Sequence, residues 1–402
     1  MKSAVLFLAT VALLGCGGEH KVATTPVVPV QPPPKRIVRP LAFPFGSDTL
    51  APAVSADGEG GVLVSWLDRR TRSLDVARWR GGRWFQPRTI ARGDLSMNKA
   101  NAPALLAANG AVVAEWIEER GGGSAVRISR SNDGAVSWTA PVTPHADAPS
   151  DYGFVSFAAE PGGTVGAVWL DGRKLEGGRE GAGDMQLRYA EIDGDGNVAN
   201  ERLLDPRVCD CCQTSIAATA SGPIVLYRDR SAEEIRDISV MRRSGHEWTK
   251  PRTLHHDGWH ISGCPVNGPR TDAAGLSVVA AWYSAANQEP RVAVAFSHDG
   301  GATFEEPVRI GTSRAAGHVD VLMLADGSAI VTWIEQGDGR ASIEAARVGR
   351  DGKLGSSVKV GEITSASSAG FPRIAISKDN VMVAWTGDPA GVQLALVHIP
   401  DL

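Results

Sequence analysis

The stretch APAVSADGEGGVLVSWLDRR, residues 51–70, decides the fold because its pattern returns along the whole chain. It joins one short apolar run to a second through a glycine-containing turn, and the second run ends close to an aromatic residue. Six further copies begin at residues 102, 154, 213, 267, 318 and 371. The aromatic residues are Trp66, Trp116, Trp169, Tyr227, Trp282, Trp333 and Trp385, at spacings of 50, 53, 58, 55, 51 and 52 residues. A regular period of this length indicates a repeat architecture.

Each copy continues into more β-type sequence. LDVARW (74–79) and VAVAFSH (292–298) are apolar segments rich in strand-forming residues, and WFQPRTI (84–90) and FEEPVRI (304–310) add a fourth run. Four short strands in about fifty residues are typical of a propeller blade. Amphipathic helical patterns are not visible in this region. The sequence therefore predicts an all-β fold, a seven-bladed β-propeller of four-stranded antiparallel blades.

The last copy is one strand short. It ends after its third run, LALVHI (394–399), three residues before the C-terminus. A blade without its outer strand would expose an unpaired edge, which proteins normally cover. We therefore expect the N-terminal segment RIVRPLAF (36–43) to complete the last blade and close the ring.

Two predicted turns carry a more specific pattern. SHDGGATF (297–304) fits the frame S-x-D-x-G-x-x-F, and SNDGAVSW (131–138) fits it except that Ala135 replaces the glycine. Both turns resemble the Asp-boxes of the sialidase (BNR) superfamily of propellers. The resemblance implies structural roles, with an Asp that accepts backbone N–H groups and an aromatic ring beneath the hairpin, for Ser131, Asp133, Trp138, Ser297, Asp299, Gly301 and Phe304. It assigns no catalytic residue, since sialidases have six blades and no complete catalytic motif is found here.

The N-terminus predicts export. MKSAVLFLATVALLGCGGEH (1–20) has a basic start, a short apolar run and Cys16 after small residues. It resembles a bacterial lipoprotein signal, which implies a signal peptide at 1–15 and a lipid on Cys16; the alternative is an ordinary secretory signal. The proline-rich stretch 16–35 is interpreted as a tether, and 36–402 as the propeller. The protein is expected to be extracytoplasmic, in the periplasm or on the outer membrane.

Charge and hydropathy narrow the classes of partner. The net charge is −4 over 402 residues and the basic residues form no block, which predicts no nucleic-acid partner. After Cys16 no apolar run is long enough for a membrane-spanning helix. The expected partners are the membrane, through the lipid anchor, and a glycan, a peptide or an envelope protein. We expect a monomer.

The cysteines are concentrated in one region. VCDCCQTS (208–215) holds Cys209, Cys211 and Cys212, and WHISGCPVNGP (259–269) holds Cys264. These segments lead into the first strands of blades four and five, on the face opposite the Asp-box-like turns. Adjacent first strands line the central channel, so the four cysteines are expected to meet at one channel mouth.

Three interpretations of the cysteines stay open. An oxidising compartment favours disulfides, and a Cys211–Cys212 bond is disfavoured because adjacent Cα atoms lie about 3.8 Å apart, below the usual disulfide range of roughly 4.4–6.8 Å. Cys264 would then pair with Cys211 or Cys212, and Cys209 with the other.

The second interpretation is a metal site for Cu or Zn, in which the cysteines act with His256, His260 or His318. The third is a redox-active disulfide, which requires a thiol of low pKa beside a cation such as Arg228 or His260. Apart from the metal of the second interpretation, no cofactor is required.

Charged and polar residues on the same face are candidate ligand-binding groups. They are Arg69, Arg120, Arg173, Arg228, Asp229, Arg230, Asn267 and Asp320. Carboxylate and guanidinium groups around a pocket bind polar ligands. The main hypothesis is a module that binds a ligand or partner at the channel mouth. The alternatives are a sialidase-type glycoside hydrolase, which needs an arginine cluster for the substrate carboxylate, and a metal-binding protein.

Overall fold

The structure is a computed structural model that describes residues 37–108, 110–145, 150–176, 183–389 and 391–402. The predicted signal peptide 1–15, the lipid-bearing Cys16 and the tether 16–35 lie outside the described residues. Residues Ile37–Leu402 form one unit. Within the described ranges no helix is both long and apolar enough to cross a membrane.

The described strands form seven antiparallel sheets, which confirms the predicted seven-bladed β-propeller. After the N-terminal strand β1 (Val38–Leu41), blade one contains β2 (Thr49–Ala56), β3 (Val62–Asp68), β4 (Ser73–Arg80), β5 (Arg83–Trp84) and β6 (Arg88–Arg92). Blade two contains β7 (Leu105–Ala108), β8 (Ala111–Arg120) and β9 (Gly123–Ser131). Blade three contains β10 (Tyr152–Ala159), β11 (Val165–Asp171), β12 (Met185–Ile192) and β13 (Val198–Val208). In blade two a bridge between Ile128 and Val142 holds the fourth position.

Blades four to seven follow the same order. Blade four contains β14 (Ser215–Thr219), β15 (Gly222–Arg228), β16 (Ile238–Ser244), β17 (Glu247–Trp248) and β18 (Arg252–Thr253). Blade five contains β19 (Arg270–Ala274), β20 (Ser277–Ser284), β21 (Arg291–Ser297) and β22 (Val308–Ile310). Blade six contains β23 (Ala315–Met323), β24 (Ala329–Gln336), β25 (Ala341–Val348) and β26 (Val358–Ile363), and blade seven contains β27 (Arg373–Ser377), β28 (Asn380–Gly387) and β29 (Gly391–His398). One short helix, α1 (Ala366–Ala369), precedes β27.

The ring closes as predicted. Strand β1 pairs antiparallel with β29, so that Val38 lies opposite Val397 and Leu41 opposite Leu394. The N-terminal strand thus supplies the outer strand of blade seven. This pairing covers the edge that the last repeat leaves open.

The core lies between neighbouring blades. The repeated aromatic residues all lie on the second strands and are at most 7% exposed. Trp282 of blade five, for example, packs against Leu226 and Val240 of blade four. Because each strongly apolar second strand is covered by the adjacent blades, the repeat of the sequence becomes a ring of interlocking cores.

Three first strands bend at the channel mouth. The pairing register shifts in β2, β10 and β23, where Ala51, Phe154 and His318 have φ values of 50°, 55° and 54°. An inserted residue of this kind is a β-bulge, and bulges occur often beside functional sites. The bulges therefore draw attention to this face of the ring.

The two Asp-box-like turns share one hydrogen-bond pattern. Ser131 Oγ donates to Asp133 over 2.7 Å, and the backbone N–H of Ser137 donates to the same carboxylate over 2.9 Å. In the second turn Ser297 Oγ lies 2.8 Å from Asp299, which also accepts the N–H of Thr303 over 2.9 Å. Trp138 and Phe304 pack against core residues next to their turns. These aspartates therefore stabilise hairpins.

Candidate functional site

A disulfide joins Cys211 to Cys264 and links the connections that enter blades four and five. The two residues are 53 positions apart in sequence. Their meeting confirms the expected convergence of the two cysteine-bearing segments. Cys211 is buried, whereas Cys264 is exposed.

The other two cysteines are neighbouring free thiols. The Sγ atoms of Cys209 and Cys212 lie 3.2 Å apart, and the residues are 1% and 2% exposed. This distance is longer than a disulfide bond of about 2.05 Å. One of the two predicted disulfides is thus formed, and the partners of the second lie side by side without a bond.

Positive charge surrounds Cys209. The Nη1 atom of Arg236 lies 3.3 Å from its sulfur. A hydrogen bond from the Cys212 thiol, helped by the backbone N–H of Cys211 and by the charges of Arg228 and Arg236, lowers the pKa of Cys209 to about 6. Burial raises the pKa of Cys212, and the negative charge that develops on Cys209 adds to this effect. The pair thus favours one thiolate that accepts a hydrogen bond from one thiol.

Local contacts fix Arg236 in this place. Its Nη2 atom lies 2.8 Å from Glu234 Oε2, and its backbone N–H donates to the Trp259 carbonyl over 2.9 Å. Asp237 accepts the N–H groups of Gly258 and Trp259, both over 2.9 Å. These bonds hold the loop that carries Cys264 against the segment between β15 and β16. They place a cation behind the sulfur cluster.

Arg228 is a structural residue in this arrangement. It was expected to face a ligand, but it is 2% exposed, and its guanidinium donates to the carbonyls of Arg236, Asn267 and Tyr283. It also stacks 4.7 Å from the ring of Trp259. Because its donors are used in joining blades four and five, its role is to hold the walls of the site.

The histidines stand apart from the sulfur cluster. Among the described residues, the group of three or more potential ligands whose donor atoms all lie within 4.8 Å consists of Cys209, Cys211 and Cys212. The predicted metal ligands His256, His260 and His318 are not part of it. His256 and His260 are exposed. His318 stacks on Phe371, with Nδ1 2.6 Å from the Gly370 carbonyl.

A cavity of about 420 Å³, which we call the mouth pocket, adjoins the disulfide. Its lining includes loops before the first strands of blades two to five. The lining residues are Ser96, Asn98, Ala100, Asn101, Ile117, Ser124, Asp151, Tyr152, Gly153, Phe154, Leu170, Met185, Asp210, Cys211, Cys264 and Val266. The predicted channel mouth is therefore a concave site with both polar and apolar walls.

Two carboxyl groups line the mouth pocket. Burial raises the pKa of Asp151. Asp210 is 6% exposed, with Oδ1 3.3 Å from Nη1 of Arg230. Asn101 accepts the N–H of Phe154 over 2.7 Å, which fixes its amide at the pocket wall. The lining thus offers carboxyl and amide oxygens in different electrostatic settings.

Backbone strain is concentrated in the same wall. Phe154 and Val266 have φ values of 55° and 48°, a region that L-residues rarely adopt and that is least favourable for β-branched side chains. Such conformations persist only where the surrounding structure imposes them, and they cluster at binding sites. Their position in the pocket supports its assignment as the functional site.

The remaining candidate arginines form ion pairs outside this lining. Arg69 pairs with Asp48 over 3.3 Å and Arg120 with Glu118 over 3.4 Å. Arg173 makes two 2.7 Å hydrogen bonds to Asp171, and this bonding raises the pKa of the guanidinium. Arg230 bonds Glu234 over 2.9 Å. No arginine occurs among the described residues that line the mouth pocket.

The last three candidates contact protein groups. Asp229 accepts a 2.9 Å bond from Ser239 Oγ, and burial raises its pKa. Asn267 accepts the N–H of His318 over 2.7 Å. Asp320 lies on a cavity of about 440 Å³ inside the channel and pairs with Arg270 over 2.9 Å. Asn267 and Asp320 thus connect neighbouring blades, Asp229 bonds within blade four, and none of the three lines the mouth pocket.

Sequence reasoning missed Arg236, Asp151 and Asp210. Arg236 lies just before the third strand of blade four. Charged residues are common in solvated turns at such positions, so the sequence did not predict that Arg236 is buried. Asp151 leads into the first strand of blade three, a position equivalent to the cysteine-bearing connections. That equivalence was the available signal.

Comparisons with known proteins support the fold. No family model matches the chain, and no curated protein matches it. An ulvan lyase of polysaccharide lyase family PL25 matches with a TM-score of 0.57, 13% identity and coverage of 90% of this chain and 96% of the other. The α-L-arabinofuranosidase Arb93A of Fusarium graminearum matches with a TM-score of 0.50, 15% identity and coverage of 74% of this chain and 93% of the other. The Hadza microbial sialidase Hz136 matches with a TM-score of 0.49, 14% identity and coverage of 85% of this chain and 74% of the other. At these identities the likeness to the ulvan lyase and to the arabinofuranosidase concerns the fold alone.

Proposed function

We propose that the protein is a membrane-anchored, extracytoplasmic propeller that binds a neutral glycan in the mouth pocket. The observation that carries this proposal is the lining, in which Asp151, Asp210 and Asn101 occur together with the apolar Phe154 and no arginine among the described residues. The volume of about 420 Å³ lies within the roughly 300–1,000 Å³ of small-molecule sites. The export signal and the predicted lipid on Cys16 would hold this site near envelope glycans.

The polar groups suit a ligand rich in hydroxyl groups. An ionised carboxylate accepts hydrogen bonds, and an amide both donates and accepts them. Such bonds from Asp210 and the two asparagines, Asn98 and Asn101, would orient sugar hydroxyls. Apolar side chains such as Phe154 would cover the C–H face of a sugar ring.

The charge of the lining argues for a neutral ligand. A sialic acid or uronic acid brings a carboxylate, for which proteins commonly use bidentate arginines. Here Arg230, which pairs with the lining residue Asp210, is also paired with Glu234. An acidic sugar would therefore meet carboxyl groups without a free cation.

The structural neighbours agree with a carbohydrate ligand. Their printed names describe a polysaccharide lyase and an arabinofuranosidase. One fold supports many functions, so this agreement only motivates the choice of ligand class. The argument itself rests on the residues of the pocket.

The test is a binding assay. Isothermal titration calorimetry of the full-length protein with neutral and with acidic oligosaccharides should show binding to neutral ones, lost or weakened at least tenfold by Asp210→Asn. The matched control is Asp195→Asn, since Asp195 is exposed on the β12–β13 turn, away from the pocket. Binding of peptides alone, or sialoside binding that survives Asp210→Asn, would contradict the proposal.

Glycoside hydrolysis is the second candidate function. Burial raises the pKa of Asp151, and Asp210 lines the same pocket; two carboxyl groups in unlike environments can act as acid and base. A panel of fluorogenic glycosides tests it. Turnover that Asp151→Asn abolishes while ligand binding remains would support hydrolysis, and a uniformly inactive panel would leave binding as the function.

A further inference from the structure

We propose that the four cysteines form a thiol–disulfide exchange site, in which the Cys211–Cys264 bond and a Cys209–Cys212 bond replace each other. This proposal does not depend on glycan binding. It rests on the placement of a buried dithiol directly behind a disulfide whose second cysteine is exposed. A single structural disulfide would need neither of the other two cysteines.

The spacing of the sulfurs suits bond formation. The Sγ atoms of Cys209, Cys211 and Cys212 all lie within 4.8 Å of one another. Those of Cys209 and Cys212 are 3.2 Å apart. Two thiolates on one tetrahedral zinc would be separated by about 3.8 Å, given Zn–S bonds of about 2.3 Å. The two sulfurs therefore lie closer together than a metal-bridged pair, and they need to approach by only about 1 Å to reach the roughly 2.05 Å of a disulfide.

Cys209 is the nucleophile. Only a thiolate attacks a disulfide, and Cys209 is the sulfur of the dithiol that contacts the Arg236 guanidinium, over 3.3 Å. Cys212 cannot readily attack Cys211, because adjacent Cα atoms lie about 3.8 Å apart and a usual disulfide requires roughly 4.4–6.8 Å. We therefore assign the first step to Cys209.

Two exchange steps complete the reaction. In the first, the Cys209 thiolate attacks Cys211 Sγ, the Cys209–Cys211 bond forms, and Cys264 leaves as a thiolate that takes a proton at the pocket. In the second, Cys212 loses its proton and attacks Cys209 Sγ, and Cys211 leaves and is protonated. One disulfide breaks as one forms, and two thiols remain two thiols. No external oxidant or reductant is consumed.

The exchange moves reducing equivalents from the interior to the surface. Before it, the free thiols are buried; after it, they are Cys211 and Cys264, which line the mouth pocket. An external disulfide can then react with the thiol of the exposed Cys264. The exchange also removes the covalent link between the connections of blades four and five.

Disulfide mapping of the full-length protein tests the proposal. One-disulfide protein, isolated as such or made by adding one equivalent of a phosphine to fully oxidised protein, is held at neutral pH, acid-quenched, alkylated and digested without reduction. Mass spectrometry should detect both Cys211–Cys264 and Cys209–Cys212 peptides. Cys209→Ser should abolish alkylation of Cys264, and Cys212→Ser should trap the Cys209–Cys211 bond.

The two variants differ only in which thiol of the buried pair is removed, so each controls for the other. Circular dichroism at the mapping temperature verifies that both are folded. A single connectivity in the wild type and in Cys212→Ser would overturn the proposal. So would stoichiometric zinc or copper that protects Cys209 and Cys212 from alkylation in protein purified without chelator.

Discussion

The guanidinium Nη1 atom of Arg236 lies 3.3 Å from the Sγ atom of Cys209, and both residues are at most 3% exposed. Glu234 holds the other end of the guanidinium. A buried cation in fixed contact with a thiol stabilises the thiolate far more than the same cation would in water. This contact makes the two thiols of the dithiol chemically different.

Stability should depend on pH through Cys209. Its pKa is lowered to about 6 in the folded protein, whereas an unfolded thiol titrates near about 8.5. The thiolate therefore adds stability that is complete above about pH 8.5 and is lost as the pH falls through about 6. Measured by urea unfolding as the difference between the wild type and Cys209→Ser, this contribution should grow by about 1–3 kcal/mol across this interval. Arg236→Met should raise the pKa of Cys209 and reduce this contribution in part, because the hydrogen bond with Cys212 remains.

Cys209→Ser provides the control for this effect. This variant lacks the thiolate, so its free energy of unfolding should not contain the Cys209 contribution over this pH interval. Adding Arg236→Met to Cys209→Ser should cause no further change in the pH dependence of the free energy of unfolding. An unchanged slope in Cys209→Ser would show that another group titrates there.

Glu115 should make the protein less stable at high pH. It is 1% exposed on β8, and burial raises its pKa to about 8, although the N–H of Ala104 donates to it over 3.0 Å. An unfolded Glu titrates near about 4.3, so stability is complete below that pH and falls as the pH rises toward 8. Glu115→Gln should match the wild type near about pH 4 and exceed it by roughly 2–4 kcal/mol near pH 8. Equal pH profiles in urea unfolding would refute this.

A buried ion pair should fasten blade three to blade four. Arg243 bonds the buried Glu160, the Tyr189 hydroxyl over 2.7 Å and Glu191 over 2.7 Å. Removing one partner of a buried pair leaves an uncompensated charge, which costs about 3–5 kcal/mol. Arg243→Met should lower the free energy of unfolding by that amount.

Arg242→Met is the matched control, because Arg242 is the neighbouring residue on β16 and forms none of these ion pairs. It should change the free energy of unfolding by less than about 1 kcal/mol. Equal losses in the two variants would mean that the strand, and not the ion pair, is sensitive. Thermal and urea unfolding measure both.

The sequence was sufficient for the ring because the relevant pattern is local. A period of about fifty residues and an aromatic such as Trp282 at a fixed place in each copy predict the blades, and the missing strand after residue 399 predicts closure by the N-terminus. The convergence of the two cysteine-bearing segments followed from strand order, which left Cys264 to pair with Cys211 or with Cys212. Strand positions in a propeller are set by the repeat, so they are readable without coordinates.

The chemistry of the site was not readable in the same way. The segments between β15 and β16 and between β18 and β19 have no repeat, and their shape depends on distant contacts such as Asp237 with Gly258. Arg228 and Arg236 therefore looked alike in sequence. Arg228 has a structural role because it is buried and donates to backbone carbonyls. Arg236 has an electrostatic role because it contacts the sulfur of Cys209.

Inside the channel, Asp320 contacts residues of two neighbouring blades that the sequence did not place together. One carboxylate, that of Asp320 on β23, accepts a 2.9 Å bond from Arg270 Nε of blade five and a 2.9 Å bond from the N–H of Ile374 in blade seven. Arg373 lies in the same cavity, and burial together with the charge of Arg270 lowers its pKa to about 9. Asp320 is therefore a shared counter-charge for three blades.

Replacing this carboxylate should weaken the ring. Asp320→Asn keeps a carbonyl oxygen for the backbone N–H of Ile374 but leaves Arg270 without its ion-pair partner, so we expect a loss of about 3–5 kcal/mol in urea unfolding. The control is Asp338→Asn, since Asp338 has a 91% exposed side chain and its pair with Arg314 lies in solvent, where such pairs contribute about 0–1 kcal/mol. If Asp320→Asn were as stable as that control, another group in the channel would have to neutralise the charge of Arg270. The Asp320 carboxylate would then not be the group that stabilises the contacts among the first strands of these three blades.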